Sequence, residues 1–260
     1  MPLAVIPWFE LPHVNLGPLS IQSFGVLSAL GILLAVVLAQ RAARRQGLDP
    51  QPIVDSSVVA VVAGVLGGHL AHLAFYHPEE LADPWSILRF WEGLSSMGGL
   101  LAGVLAAALW FRRRRLRLAD YGDAYALGVA PGWGVARVGC FTVHDHPGVL
   151  TSFPLAVQFP DGPRHDLGLY EAIVLLGIGA LLWALFRRGA LRERLLPLLA
   201  LLYGVARFLL DFLRARDLPY HDARQFGLTF AQYVAFGLVA YGIAGLARSR
   251  AGRFAAEAPR

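Results

Sequence analysis

Arg207 and Asp211 are the first residues in this chain whose type and spacing suggest chemistry. They lie in an apolar run, with Tyr203 before them and Arg214 after. The spacing i, i+4, i+8, i+11 puts all four on one helix face, so Asp211 can pair with Arg207, Arg214 or both. One reading is a structural ion pair that lowers the cost of an intramembrane arginine. The other is an anion site, in which the carboxylate orients an arginine whose planar fork meets a phosphate. A second lone arginine, Arg137, favours the anion site, because two converging guanidiniums favour an anion between them. It sits among apolar neighbours in residues 128–148, GVAPGWGVARVGCFTVHDHPG. Pro131, Pro147 and five glycines interrupt that stretch. It therefore reads as a broken helix, tolerated at membrane depth only where protein or a water-filled cavity surrounds it.

The same stretch carries Cys140, then His144, Asp145 and His146. A thiolate nucleophile needs an activating base, which His144 is near enough in sequence to be, but a lone cysteine is more often a small packing residue. His69 and His72 share a helix face at i, i+3 and read first as packed, hydrogen-bonded histidines. No spacing among these histidines and the cysteine is specific for zinc, so no metal or other cofactor is expected. One cysteine excludes an internal disulfide and any cysteine-only cluster.

The elements that position these groups are membrane helices. The chain has 260 residues, 56% of them hydrophobic, and a mean hydropathy of +0.53. Several apolar stretches approach the roughly 20 residues that span a bilayer. The expected fold class is an all-α integral membrane protein of about seven transmembrane helices, forming a single polytopic domain over residues 1–260. The expected spans are 19–40, 53–76, 94–111, an irregular 120–138, 169–186, 195–213 and 226–247. A polar external loop covers about 139–168. Trp8 and Phe9 are expected interface anchors. Residues 1–12 have no basic segment, so no separable signal peptide is expected.

The formal charge is +5, and every basic residue is Arg. The loops after spans one, three, five and seven hold 16 of the 23 arginines. Clustered there, they speak to topology and not to nucleic acid, and they put the N-terminus outside and the C-terminus in the cytoplasm. Topology then gives depth. Arg137, Arg207, Asp211, His69, His72, Tyr170, Glu171, Phe24 and Met97 all fall toward the outer side. Gly64/Gly68, Gly99/Gly103 and Gly128/Gly132 are spaced as GxxxG, which ordinary close helix contacts explain. Many transporters show an internal repeat; none is evident here.

Taken in order, five segments resemble the prolipoprotein diacylglyceryl transferases of bacterial inner membranes. LGPLSIQSFGVLSALG (16–31) is similar to the family's GP-x-x-I-x-x-YG opening. Residues 67–103, ending SSMGGLLAG, resemble its stretch ending SFHGGL. PGWGVARVGCFTVHDHPG (131–148) resembles its signature GR-x-GNF…G-E-x-x-G. HDLGLYEA (165–172) resembles HP-x-QLYEA, and YGVARFLLDFLRARD (203–217) resembles YG-x-x-RF-x-x-E-x-x-R-x-PD.

The resemblance implies a reaction. The diacylglyceryl group of phosphatidylglycerol moves to the lipobox cysteine of a prolipoprotein signal peptide, and glycerol phosphate leaves. The partners implied are phosphatidylglycerol, prolipoproteins and membrane lipids, at the bacterial inner membrane, with no cofactor. Arginines should hold the departing phosphate, and a base should favour the attacking thiolate. Carried over by position, Arg137 matches the signature arginine, Asp145 its acidic residue and Gly148 its closing glycine. Arg207, Asp211 and Arg214 match the later Arg–Glu–Arg series, and Tyr170 and Glu171 match the LYE pair. Phe24, His72, Met97, Gly98, Gly99, Cys140 and Tyr203 complete the expected substrate site. The departures fall on the base half. Phe24 stands for Tyr, His69 for Arg, Met97 for the His of HGG, Cys140 for Asn and Gly168 for Gln. Two accounts follow: a base relocated to His144, His146 or His72, or a relative that binds anionic phospholipid or modifies a different acceptor.

Overall fold

A computed structural model describes residues 6–11, 14–16, 19–89, 93–219 and 223–247. The basic tail and the Gly17 and Pro18 of the opening motif lie outside them. Among the described residues are seven α-helices: α1 Ser23–Arg45, α2 Gln51–Phe75, α3 Ser96–Arg113, α4 Leu118–Val143, α5 Leu167–Arg187, α6 Leu195–Leu210 and α7 Phe230–Ala247. Six are long and apolar enough to cross a membrane, α6 together with the short 3₁₀ turn Asp211–Leu213 that follows it. The remaining helix, α3, is 18 residues long and ends in Arg112 and Arg113, which lower its average hydropathy. The chain is a multi-pass membrane protein.

Small residues set the pairing. Helix α1 lies along α4, α2 along α3, α4 along α5 and α6 along α7. A Cβ on Gly132 would meet the Gly31 carbonyl oxygen at 2.4 Å, and one on Gly128 the Ala35 oxygen at 2.2 Å. The α1–α4 seam therefore accepts only glycine at these two positions. A Cβ on Gly99 would come within 3.0 Å of the Gly64 oxygen across the α2–α3 seam. The GxxxG pairs are thus helix contacts, as spacing alone suggests.

The expected broken helix is corrected. Helix α4 runs without interruption from Leu118 to Val143 and contains Pro131. Proline lacks the N–H that would bond the carbonyl four residues back, here that of Leu127. The indole of Trp183 on α5 donates to the Leu127 oxygen at 3.0 Å instead, and Gly179 on α5 leaves room for the Pro131 ring. With its freed carbonyl satisfied, the helix has no cause to break. It ends at His144, a non-glycine residue in the left-handed region with φ 49°.

The expected polar loop 139–168 is likewise corrected. Its first residues are helix, and Pro147–Leu150 (β3), Val157–Phe159 (β4) and Gly162–Asp166 (β5) form a three-stranded antiparallel sheet in the order β3–β5–β4. Ile6 adds a parallel bridge to Val157 at its edge. The short pair Val14–Leu16 (β1) and Leu19–Ile21 (β2) precedes α1. Before α7, Arg224–Gln225 (β6) and Leu228–Thr229 (β7) make a hairpin. Its two turn residues, Phe226 and Gly227, have φ of 50° and 82°, as a tight hairpin turn demands. The last helix therefore starts at Phe230, four residues later than apolarity suggests.

Candidate active site

Arg137 projects from α4 six residues before its last residue, Val143, and Arg207 from α6. Both are 2% exposed. An unpaired arginine is costly there, so each needs a carboxylate, and α5 supplies one for both. Glu171 Oε1 lies 3.0 Å from Arg207 Nη1, and Oε2 lies 3.1 Å from Arg137 Nε. The Tyr203 hydroxyl donates to Oε2 at 3.1 Å. Three helices thus meet at one carboxylate.

Asp211 extends the cluster. Its Oδ1 is 3.0 Å from Arg207 Nη1 and 3.1 Å from Arg214 Nε, so the pairing foreseen from spacing is made with both arginines. The Thr229 hydroxyl donates to Oδ2. Thr229 also opens α7 in a reciprocal cap: its N–H bonds to Gln232 Oε1 at 3.0 Å, and the Gln232 N–H bonds to its hydroxyl at 3.2 Å. A Thr-x-x-Gln pattern before an apolar run was a readable cap signal, and the sequence reading missed it.

The other side of Arg137 faces the turn after α4. Its Nη1 is 3.5 Å from Cys140 Sγ and 3.1 Å from His146 Nε2, and its Nη2 is 3.5 Å from the Ser96 hydroxyl. A guanidinium only donates, so His146 Nε2 accepts and the ring proton sits on Nδ1. That proton goes to Asp145 Oδ1 at 2.5 Å. Burial, ahead of the opposing pull of Asp145, lowers the His146 pKa below the ordinary histidine value, which favours the neutral ring. Cys140, Asp145 and His146 hold ligand atoms within 4.8 Å of one another. Two of the three already face the Arg137 cation, which competes with a metal ion for them. Ser96 was missed because a serine beside Met97 carries no pattern of its own.

Other expected site residues lie elsewhere. His144 is buried in an aromatic box, stacked on Trp8 at 4.4 Å and edge-on to Phe9, Phe141 and Phe159. Its Nδ1 is 2.7 Å from Asp166 Oδ2, while Asp166 Oδ1 caps α5 through the Leu169 N–H. Burial raises the Asp166 pKa. His144 is therefore a strut between α4, α5 and the N-terminal segment, where Trp8 and Phe9 are packing partners. His72 stacks near Tyr76 and His77. His69, as the packing reading had it, lies 2.9 Å from the Gly93 oxygen and 2.8 Å from the Ser86 oxygen.

Tyr170 points away from Glu171, its hydroxyl meeting His165 Nδ1 at 2.9 Å and the Leu155 oxygen at 3.2 Å. Met97 is packed with Ala231, Val234, Leu100, Trp133 and Phe230, so an apolar contact fills its position. Gly98 and Gly99 serve the α2–α3 seam, where a Cβ on Gly98 would meet Ala71 at 2.2 Å. Phe24 is 38% exposed, while its backbone lies against Gly139. Gly168 packs on the Phe141 backbone, where a Cβ would come within 2.8 Å of the Phe141 nitrogen. No longer side chain fits there.

Gly148 ties the small sheet to the cluster by a bridge to Arg214. Beside it, buried Arg164 donates to the Gly148 oxygen at 2.9 Å and pairs with both Asp161 and Asp217 at 2.6 Å. Their pairing with Arg164 holds the pKa values of Asp161 and Asp217 below the ordinary carboxylate range. This clasp, also missed from sequence, fastens the sheet to the segment after α6.

The cluster can hold an anion at arginine forks and can accept a proton at His146 once Arg137 turns away. The family model described as prolipoprotein diacylglyceryl transferase matches residues 12–248. A phosphatidylglycerol–prolipoprotein diacylglyceryl transferase of Chromohalobacter salexigens is 36% identical over 210 residues, covering 78% of this chain and 79% of the relative. Proteins of the same name from Solidesulfovibrio magneticus and Synechococcus elongatus are 33% and 32% identical. They cover 94% and 90% of this chain, and 96% and 85% of their own lengths. With a family-model match over residues 12–248 and relatives 32–36% identical across most of both chains, the chain belongs to the prolipoprotein diacylglyceryl transferase family.

Proposed function

We propose that this chain transfers the diacylglyceryl group of phosphatidylglycerol to the lipobox cysteine of prolipoprotein signal peptides. The observation that carries the reading is the meeting of Arg137 and Arg207 at Glu171, inside a membrane domain. The substrate thiolate attacks the glyceryl carbon that carries the phosphate. A C–S bond forms, the C–O bond to phosphate breaks, and glycerol phosphate leaves with the electron pair. Negative charge grows on the phosphate oxygens as that bond breaks, and arginines fixed in place before the reaction stabilise it best.

A thiol with a pKa near about 8.5 is mostly protonated at neutral pH, so the step needs a base. Of the three histidines considered, His146 is the one in contact with Arg137, and its ring is neutral and oriented by Asp145. It is assigned the base role. His144 and His72 are assigned packing roles from their aromatic surroundings. The order of events follows from the Arg137–His146 contact. Lipid phosphate draws Arg137 away, His146 Nε2 is uncovered, and the thiol proton moves there. On this reading Asp211 and Thr229 hold Arg207, and Arg214 adds positive charge at the same carboxylate.

The membrane arrangement proposed with this function has seven spans, α3 included. The N-terminus and the small sheet lie outside and the C-terminus lies in the cytoplasm, in the bacterial inner membrane. Its support is the alternation of arginine between loops. Incubation of the purified protein with phosphatidylglycerol and a lipobox peptide should add the mass of one diacylglyceryl group to the peptide. An unmodified peptide, with phospholipid binding that still depends on Arg137, would leave the chain as an anionic-lipid binder or the modifier of another acceptor.

A further inference from the structure

Glu171 occupies the position between the two arginines that the lipid phosphate needs. Its side chain is 1% exposed, its two oxygens accept from Arg207 Nη1 and the Tyr203 hydroxyl at 3.0 and 3.1 Å, and Oε2 lies 3.1 Å from the Arg137 Nε charge. The carboxylate is thus an anion between converging guanidiniums, using the donors a phosphate would use. It does not use all of them. Arg137 Nε and Arg207 Nε are buried and make no hydrogen bond, the first lying near Oε2 without being aligned to it.

We propose that Glu171 is a resident counter-ion. It holds Arg137 and Arg207 together while the site is empty and yields donors to the phosphate when lipid arrives. It is a positioning residue, acting through the two arginines. The identity of the incoming anion rests on the transferase reading; the exchange itself rests on the geometry. Without Glu171, Arg137 would be buried with no carboxylate in contact among the described residues, and Arg207 would keep only Asp211, which it shares with Arg214, so the empty site needs an internal anion. That anion competes with the ligand, which weakens phosphate binding and helps expel glycerol phosphate once the carboxylate returns.

The sign of the effect is distinctive. A residue that merely props the arginines loses anion affinity when neutralised, whereas a competitor raises it. The test compares wild-type protein with Glu171→Gln in nanodiscs of zwitterionic lipid, titrated with glycerol phosphate. Removal of the competing charge should tighten binding roughly fivefold or more, as expected for direct coupling of two ligands at one site. Turnover with phosphatidylglycerol and a lipobox peptide should fall, while KM for the lipid does not rise. Unchanged or weaker glycerol phosphate binding by a folded Glu171→Gln protein overturns the proposal. Should that variant fail to fold, Glu171→Asp decides. It keeps the charge and all the donors but draws the carboxylate back by one methylene from the two guanidiniums, and it should tighten binding about twofold; no tightening there overturns the proposal equally. Wild-type protein that binds glycerol phosphate but modifies no peptide would sink the transferase reading and leave the exchange intact.

Discussion

Arg137 Nη1 donates to His146 Nε2 at 3.1 Å. Because a guanidinium cannot accept, this contact selects the imidazole tautomer and covers the one lone pair that can take a proton. The same arginine proposed to receive the phosphate therefore also covers the proposed base.

His146→Ala should lower kcat by about 10²–10⁴-fold, the usual contribution of a positioned base, with little change in lipid binding. His72→Ala should leave kcat within a few fold. His144→Ala should act on stability, since it removes the stack on Trp8 and leaves Asp166 without its ring partner. Steady-state kinetics beside thermal melts separate these effects. Undiminished kcat in His146→Ala would place the base elsewhere.

The pH profile carries a sign. Burial moves the His146 pKa down from 6.5, so the ring is neutral above that value and charges only in more acidic solution. kcat/KM should hold level through neutral pH and fall on an acid limb that lies below 6.5. Asp145 opposes the downward shift, so Asp145→Asn should move the limb to still lower pH. A limb that stays put in that variant would detach Asp145 from the base. For stability the direction is the same: the unfolded ring charges first as pH falls, so His146 destabilises the fold below about 6.5.

Arginine geometry should matter as well as charge. Arg137→Lys and Arg207→Lys keep the cation and lose the fork, and each should lower transfer by about 10²–10³-fold. Arg207→Ala should also lower the melting temperature, because Glu171 and Asp211 are left buried with one partner fewer. Lysine variants with near-normal transfer would reduce the arginines to a diffuse positive field.

Trp183 and Pro131 should be energetically coupled. Trp183→Phe leaves the Leu127 carbonyl buried without a donor and should cost about 1–3 kcal/mol. Pro131→Ala restores the N–H that proline removed, so the double variant should recover most of that loss. A double-mutant cycle on chemical or thermal unfolding in detergent reads it, and additive losses would count against the compensation.

The helices were legible because membrane spans are dictated by long apolar runs. The Arg207–Asp211–Arg214 stripe was legible because a helix converts fixed spacing into a shared face. The meeting of α4 with α6 through Glu171 was not. Depth assigned from topology brought Arg137, Glu171 and Arg207 to one level, but level is only one coordinate of three, and contact also needs the helix rotations. The α4 prolines and glycines misled for a related reason. A missing N–H breaks a helix only when nothing else satisfies the freed carbonyl, and the donor at Leu127 stands 56 residues away.

By itself, the sequence determined the helical membrane class, the apolar runs behind the long helices, the family resemblance and the need for carboxylates beside buried arginines. Those follow from local composition and from the cost of charge in an apolar medium. Tertiary structure decided which carboxylate serves which arginine, and which histidine stands at the site. His144 and His146 are two residues apart in the same short turn. The left-handed conformation at His144 and the stack on Trp8 turn the first into the packing, while the second meets Arg137. No one-dimensional pattern separates two histidines so placed, because long-range contacts choose between them.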